Sequence, residues 1–340
     1  MSRGAPGSDP LRGRNGVAIV IVLWVVLVLS LLISGFAFTM HVETQVASYA
    51  RKELKAEMLA RSGVEVARMQ LILHQQSATE SGFDAPNQLW ATNELMYVDH
   101  ELGEGTFNVK VTDEESKIPI NGATDVQLRR LMGLLHVDPA DGDVIVDSIL
   151  DWIQPGDLTR LNGAKSDYYL SLSPPYRAKK APMDRVEELL LVRGVTPELF
   201  QGTPATDQDP AQPGFADLFT TMTSGTINVN TASAIVLEAM LGIDEGLAQA
   251  AVTRRDGADG IPGTDDDMPF RSTDEFLTVV GNRDPAARQA MQGLITVSSS
   301  FFTVRSTGTV GGVKHTVLAT LRRDGTTIQV VMWRELREAS

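Results

Sequence analysis

The sequence predicts an α+β chain in which one very long N-terminal helix lies on a small antiparallel sheet and a large helical unit is inserted between the strands. Three observations carry that expectation. A proline-free stretch keeps helical character from Val17 to Gln76, alternating β-branched segments occur at GEGTFNVKVTDEE and near the C-terminus, and the residues between them are mostly helix-spaced.

The N-terminal helix comes first. From Val17 to Met40 the run VAIVIVLWVVLVLSLLISGFAFTM carries no charge. A helix of that length reaches roughly 36 Å, enough to cross a bilayer core of about 30 Å. Arg3, Arg12 and Arg14 precede it against one acid, Asp9, so the positive-inside bias keeps the short N-terminus in the cytoplasm. The run is longer than the apolar region of a secretory signal, and no small-x-small cleavage site follows it, which favours an anchor. Beyond it, VETQVASYARKELKAEMLARSGVEVARMQLILHQQ continues as an amphipathic helix, with Glu57 and Arg61 one turn apart and Leu54, Met58, Leu59 and Val66 on an apolar side.

The strands follow from period-two alternation. Phe107, Val109 and Val111 share one face of the first, and FFTVRSTG, VKHTVLATLRR and TTIQVVMWR repeat the style, with Gly311-Gly312 and Asp324-Gly325 as hairpin turns. Between them VQLRRLMGLLHV, DVIVDSILDWI and RVEELLLV show helical spacing, and Pro174, Pro175 and Pro182 punctuate the connections. Residues 203–215 are expected to form a loop. At 340 residues the chain can hold two or three units. A net charge of -13 argues against general nucleic-acid binding, and zero cysteines exclude disulfides and thiolate metal sites.

The arrangement resembles a known family. The leader ending RNG before an apolar run is similar to that of type IV prepilin-like proteins, which prepilin peptidase cuts after the glycine; here that implies cleavage between Gly16 and Val17, and methylation of the new N-terminus. Most such proteins carry glutamate at the fifth mature position, where this chain has Ile21. That departure, with IVDSILDWIQPGD, SDYYLSLSPPYRAKKAPMDRVEELLLVRGVTPELF, INVNTASAIVLEAMLGID, PFRSTDEFL and FFTVRSTGTVGGVKHTVLATLRRD in order, resembles the minor pseudopilins of the general secretion pathway protein K family. The resemblance implies a type IV pilin-like fold with an inserted all-α domain containing helix-hairpin-helix-like units. It implies a leader at 1–16, a transmembrane segment at 17–40, a helix extension and first strands at 41–118, the helical insert at 119–296 and closing strands at 297–340. It further implies a minor pseudopilin at the tip of the type II secretion pseudopilus, initiating or capping assembly from the inner membrane with its C-terminal domain in the periplasm. Its partners would be minor pseudopilins I and J, the prepilin peptidase and the inner-membrane secretion platform.

Three segments are candidates for chemistry. INVNTASAIVLEAMLGIDEGLAQAAVTRR reads as two helices with a hairpin at Gly242, Asn230 or Thr231 capping the first and Arg254 and Arg255 ending the second. Asp244 stands where a phosphate would sit in a DNA-binding hairpin, so this unit and the turn Val192-Arg193-Gly194-Val195 read as packing devices, with no nucleic acid expected. The loop DGADGIPGTDDD gathers Asp256, Asp259, Asp265, Asp266 and Asp267. These oxygens suit a hard cation such as calcium, the alternative being a solvated acidic turn; Ala258 and Gly260 exclude an EF-hand. The resemblance implies calcium in the helical domain. A second run, Asp138, Asp141, Asp143 and Asp147, suits a helix start better than a metal.

No nucleophile elbow, phosphate loop, dinucleotide fingerprint or zinc-protease pattern occurs, so an enzyme is not expected. His41, His74, His100, His136 and His315 are scattered and read as surface or interface residues, and Asp147 and Asp151 as loop organisers. The competing functions are a membrane-anchored helix-hairpin-helix DNA receptor and a minor pilin of a type IV pilus.

Overall fold

The computed structural model describes residues 12–77, 82–205, 211–281 and 285–336, with side chains from Val17 onward. Most of the leader, residues 206–210 of the expected loop and the last four residues lie outside the described residues.

Helix α1 runs unbroken from Arg12 to Gln76, and its 65 residues span about 97 Å. Its two halves meet different surroundings. Trp24, Leu27, Leu31 and Phe38 are exposed, on the one helix among the described residues that is long and apolar enough to cross a membrane. Farther along, Ala56, Ala60, Val64, Ala67 and Leu71 are fully buried at steps of three and four, the spacing that puts them on one helical face.

That face lies on a five-stranded antiparallel sheet whose spatial order follows the chain: β1 (His100–Leu102), β2 (Gly105–Asp113), β3 (Phe301–Val310), β4 (Val313–Asp324) and β5 (Thr327–Leu336). Close approach depends on two glycines. A β-carbon at Gly63 would lie 2.2 Å from Ser306 Oγ, and one at Gly308 would lie 2.1 Å from the Ala56 carbonyl oxygen. Val64, Leu71, Val111, Phe302, Val317 and Leu321 fill the space between helix and sheet, with Trp90 edge-on to Phe302 at 5.1 Å. Gly311 and Gly312 form the β3–β4 turn with positive φ at both positions. In the next hairpin Asp324 still pairs with Thr327, so the turn residues are Gly325 and Thr326, one position later than expected.

The chain leaves the sheet at Asp113 and returns at Phe301, and in between it builds a second core. Helices α2 (Asp125–Leu134), α3 (Pro139–Ile153), α4 (Ala234–Leu241), α5 (Glu245–Arg255) and α6 (Thr273–Val279) are its main elements. Leu128, Ile149, Tyr169, Phe219, Leu237 and Phe276 are among its fully buried side chains. Thr124 starts α2 with a capping box, its hydroxyl accepting from the Gln127 amide while the Gln127 side chain accepts from the Thr124 amide.

Two expectations about this unit are refined. RVEELLLV forms a 3₁₀ turn, Val186–Leu191, in which Leu189 is buried while Leu190 and Leu191 are exposed; so short a run between Pro182 and Pro197 has no second face to pack. The unit also contains parallel two-residue pairings, Ile118–Pro119 with Phe219–Thr220 and Ile227–Asn228 with Ile295–Thr296. Both tie a segment near the seam to a remote part of the insert, which gives buried backbone groups partners that local helices could not supply.

Candidate functional site

The helical hairpin places Gly242 at φ 67°, where its amide donates to the Glu238 carbonyl and closes α4. Asp244 is the cap of α5, accepting from the Leu247 amide at 2.9 Å. Helix α2 packs against one side of the turn, while Gly242 and Asp244 stay exposed. Arg130 donates to the Ala239 carbonyl at 2.8 Å, Gln127 donates to the Met240 carbonyl at 3.1 Å, and a β-carbon on Gly242 would lie 2.7 Å from the Arg130 guanidinium. Gly194 in the second turn is exposed but lies close to α3, where a β-carbon would lie 2.8 Å from Ile145. Both turns therefore pack closely against a neighbouring helix on one side.

Asn230 and Thr231 do not cap α4. The residue before that helix is Ser233, which makes no side-chain cap. Asn230 instead pairs with the backbone of Phe270 in both directions, its Oδ1 accepting from the Phe270 amide at 2.8 Å and its Nδ2 donating to the Phe270 carbonyl at 2.9 Å. Thr231 donates to Asp113 Oδ2 at 2.6 Å. Both side chains satisfy remote buried groups, which takes precedence over a cap that water can replace.

The acidic loop is organised by its own backbone. Asp266 Oδ2 accepts from the amides of Ala258 at 2.6 Å and Asp259 at 3.2 Å, Asp259 Oδ1 from Ile261 at 2.8 Å, and Asp267 Oδ2 from Gly263 at 2.8 Å. The Thr264 hydroxyl and the amides of Ala258 and Asp259 hold the Asp266 carboxyl below its ordinary range, whereas partial burial pushes Asp267 up. Oxygens of Asp266, Asp259 and Asp267 converge on the Thr264 hydroxyl at 2.7, 3.4 and 3.4 Å. Asp256 is turned away, paired with Arg255 at 2.8 Å, and Asp265 is exposed. The donors present are hard oxygens of the kind calcium accepts. Among the described residues, however, no three acidic or histidine side chains stand at metal-holding spacing.

Asp138 caps α3, accepting from the Ala140 amide at 2.9 Å. Asp147 accepts from Arg129 at 2.8 Å and from the Asn162 amide at 3.1 Å, and Asp151 from the Arg160 amide at 3.1 Å, so the pair holds the loop after α3. Asp143 pairs with Arg129, and Asp141 is exposed in the first turn of α3. Of the histidines, His74 departs from the surface reading. It is buried at the end of α1, with Nε2 3.0 Å from Asp84 Oδ1 and 3.2 Å from the Phe83 carbonyl. A cleft of about 510 Å³ separates the outer sheet face from the insert. Among its wall charges, Lys117 pairs with Glu114 and Arg334 with Glu187.

Sequence reasoning passed over the seam between the sheet and the insert. Asp84, Asp113 and Glu115 are buried there with Asn228 and Ser299, and Thr231 is half-buried beside them. The available signal was the alternation of polar and apolar residues in INVNT, which places Asn228 and Asn230 between core positions.

Comparison with known proteins accounts for this architecture. Family models described as type II secretion system protein K match residues 105–203 and 227–298. Type II secretion system protein K of Pseudomonas aeruginosa is 25% identical over 328 residues, covering 92% of this chain and 90% of that protein. A putative type II secretion system protein K of Escherichia coli K12 is 22% identical over 197 residues, 55% of this chain and 60% of that protein. The fold matches a chain in the crystal structure of the GspK–GspI–GspJ complex from the enterotoxigenic Escherichia coli type 2 secretion system. The TM-score is 0.68 at 20% identity, over 87% of this chain and all of that one. The long helix, the antiparallel sheet and the large helical unit between its strands are thus those of a pilin-like protein with an insert, and the chain belongs to the type II secretion system protein K family, as a minor pseudopilin.

Proposed function

We propose that this pseudopilin occupies the tip of the periplasmic pseudopilus, where it initiates or caps assembly for protein export. The observation that carries the reading is the position of the insert. It meets the pilin-like body beside His74, the far end of α1, roughly 85 Å along the helix from Val17. Bulk at that end obstructs a further subunit beyond it, while the exposed apolar half of α1 remains free to lie first in the inner membrane and then among neighbouring helices. Ile21 supports the same position, because it offers no carboxylate to the N-terminal amine of a subunit above.

In this reading the chain crosses the inner membrane once, with its N-terminus cytoplasmic and its folded part periplasmic. Prepilin peptidase cuts between Gly16 and Val17, and minor pseudopilins I and J, with the secretion platform, gather the mature subunit. The complex named for the structural relative motivates the choice of partners. Calcium belongs to the proposal too: Asp259, Asp266 and Asp267 would hold it, with Asp265 close by in sequence, and it would screen their mutual repulsion.

The deciding experiment isolates the membrane-extracted chain with candidate minor pseudopilins and locates it on filaments by immunogold labelling. Capture of I and J with label confined to filament ends is expected; label repeated along the shaft overturns the tip assignment. Mass spectrometry should find Val17 as the first residue, and Gly16→Leu should leave the leader attached.

A further inference from the structure

We propose that the seam between sheet and insert is a proton-operated latch, in which Asp113 and Glu115 share one proton that sets how tightly the helical insert is held on the pilin-like body. The geometry begins with who meets whom. Asp113 ends β2 and is buried, and its Oδ2 accepts from Thr231 Oγ at 2.6 Å, Ser299 Oγ at 2.7 Å and Asn228 Nδ2 at 3.0 Å. Two of those donors belong to the insert and the third to the segment entering β3. Glu115 reaches the same two parts, accepting from the Ser224 amide at 3.2 Å and the Phe301 amide at 3.1 Å. Between them, these two carboxylates bond the insert to the sheet.

Among the described residues, their neighbours leave them without a counter-charge. From α1 comes His74, which goes to Asp84. From β4 comes Arg323, whose two terminal nitrogens both go to Asp84 at 2.8 and 2.9 Å. The turn after β2 brings Glu114, which takes Lys117 at 3.1 Å and the Thr220 hydroxyl at 2.5 Å. From α5 comes Arg255, directed at the carbonyls of Val229 and Ala232 and paired with Asp256. Among the described residues, the hydrogen bonds to Asp113 and Glu115 therefore come from neutral donors.

Two such acids close together and out of water cannot both ionise cheaply, so they titrate as a pair. Burial, and then the charge of Glu115, push Asp113 up to about 7, against the hydrogen bonds from Thr231 and Ser299; burial also raises Glu115. Asp84 goes the other way. Burial alone would raise it, but His74 and Arg323 hold it below 3.8. The consequence has a definite sign. Between 3.8 and about 7 the folded seam keeps a proton that the unfolded chain has released, so that stabilisation is fully present below 3.8 and falls progressively as pH rises to about 7. The Asp84 contribution is present above 3.8 and fails only in stronger acid. The latch is tightest near the lower of those limits and loosens toward the upper.

The absence of cysteine makes a direct test practical. Spin labels at Glu101→Cys, exposed in β1, and Leu161→Cys, exposed on the insert, report the separation of the two bodies in the full chain in detergent micelles. Hydrogen exchange corrected for intrinsic rate reports the amides of 228–231 and 299–301. Between about pH 5.5 and about pH 8.5 the label distance should broaden and exchange in these segments should quicken by about tenfold or more. With Asp113→Asn, a neutral isostere, both readouts should stay the same at the two pH values. An unmodified chain indifferent to this range overturns the latch, as does an Asp113→Asn chain that keeps the full response. Should that variant not fold, the infrared carbonyl band of protonated carboxyls in the unmodified chain decides. A band lost near pH 7 supports the shared proton, and no such band above about pH 5 overturns it.

Discussion

Two acidic regions of this protein look alike as composition and behave oppositely as structure. The loop 256–267 places five aspartates within a dozen residues, yet the amides answering Asp259, Asp266 and Asp267 lie at most eight residues away, and much of the loop is open to water. The seam has three carboxylates, Asp84, Asp113 and Glu115, spread over 32 positions of sequence. Donors reach them from as far as 239 residues away, and all three are buried. Local density of charge thus marks a loop that orders itself. Sparse charge in apolar surroundings marks the place where remote parts of the chain are fastened.

The comparison can be broken most forcefully at Arg323. Arg323→Ala leaves the Asp84 carboxylate buried without its bidentate partner, and a loss of about 3–5 kcal/mol is expected in urea unfolding of the full chain in detergent. A loss under about 1 kcal/mol would mean that the seam is as self-sufficient as the loop. Next comes Asn230→Ala, which orphans the buried amide and carbonyl of Phe270 and should cost about 2–4 kcal/mol, with faster exchange at residue 270 as its local sign.

Calcium sharpens the contrast from the other side. Added at about a hundredfold over its dissociation constant, a cation that selects the folded loop should contribute about 2.7 kcal/mol and raise the melting temperature. The rise should disappear in a chain carrying Asp265→Ala with Asp267→Ala. Equal melting temperatures of the unmodified chain in chelator and in millimolar calcium would leave the loop as a solvated turn. The smallest change is expected from Asp266→Asn without calcium, because the exposed amides of Ala258 and Asp259 can turn to water; a shift rivalling that of Asn230→Ala would reverse the ranking of the two regions.

Much of the architecture was legible because its signals are local. The uncharged run from Val17 and the proline-free stretch after it appear as one helix, although its buried face runs through Ala56 and Leu71 while Leu54 and Met58, expected on the apolar side, are exposed. The alternation of Phe107 and Val111 appears as a strand with a buried face. Local signals also misled. Thr231 looks like a cap because threonine often precedes helices, but its hydroxyl is claimed by Asp113, 118 residues earlier. His74 looks like a surface residue because its helix is long and polar on one side, but Asp84 folds back over the helix end and buries it.

Near neighbours in the chain set the apolar helix, the strand alternation, the glycine turns, and an acidic loop whose donors lie in its own backbone. Which polar groups are buried, and what answers them, followed from how the folded chain comes together. The hairpin at Gly242 lies against Arg130, and Asn228 and Thr231 meet Asp113, because contacts and burial are settled by surfaces that come from distant parts of the chain. Removing a carboxylate from water is costly enough that its partners must be in place, yet the sequence lists those partners without saying that they will meet.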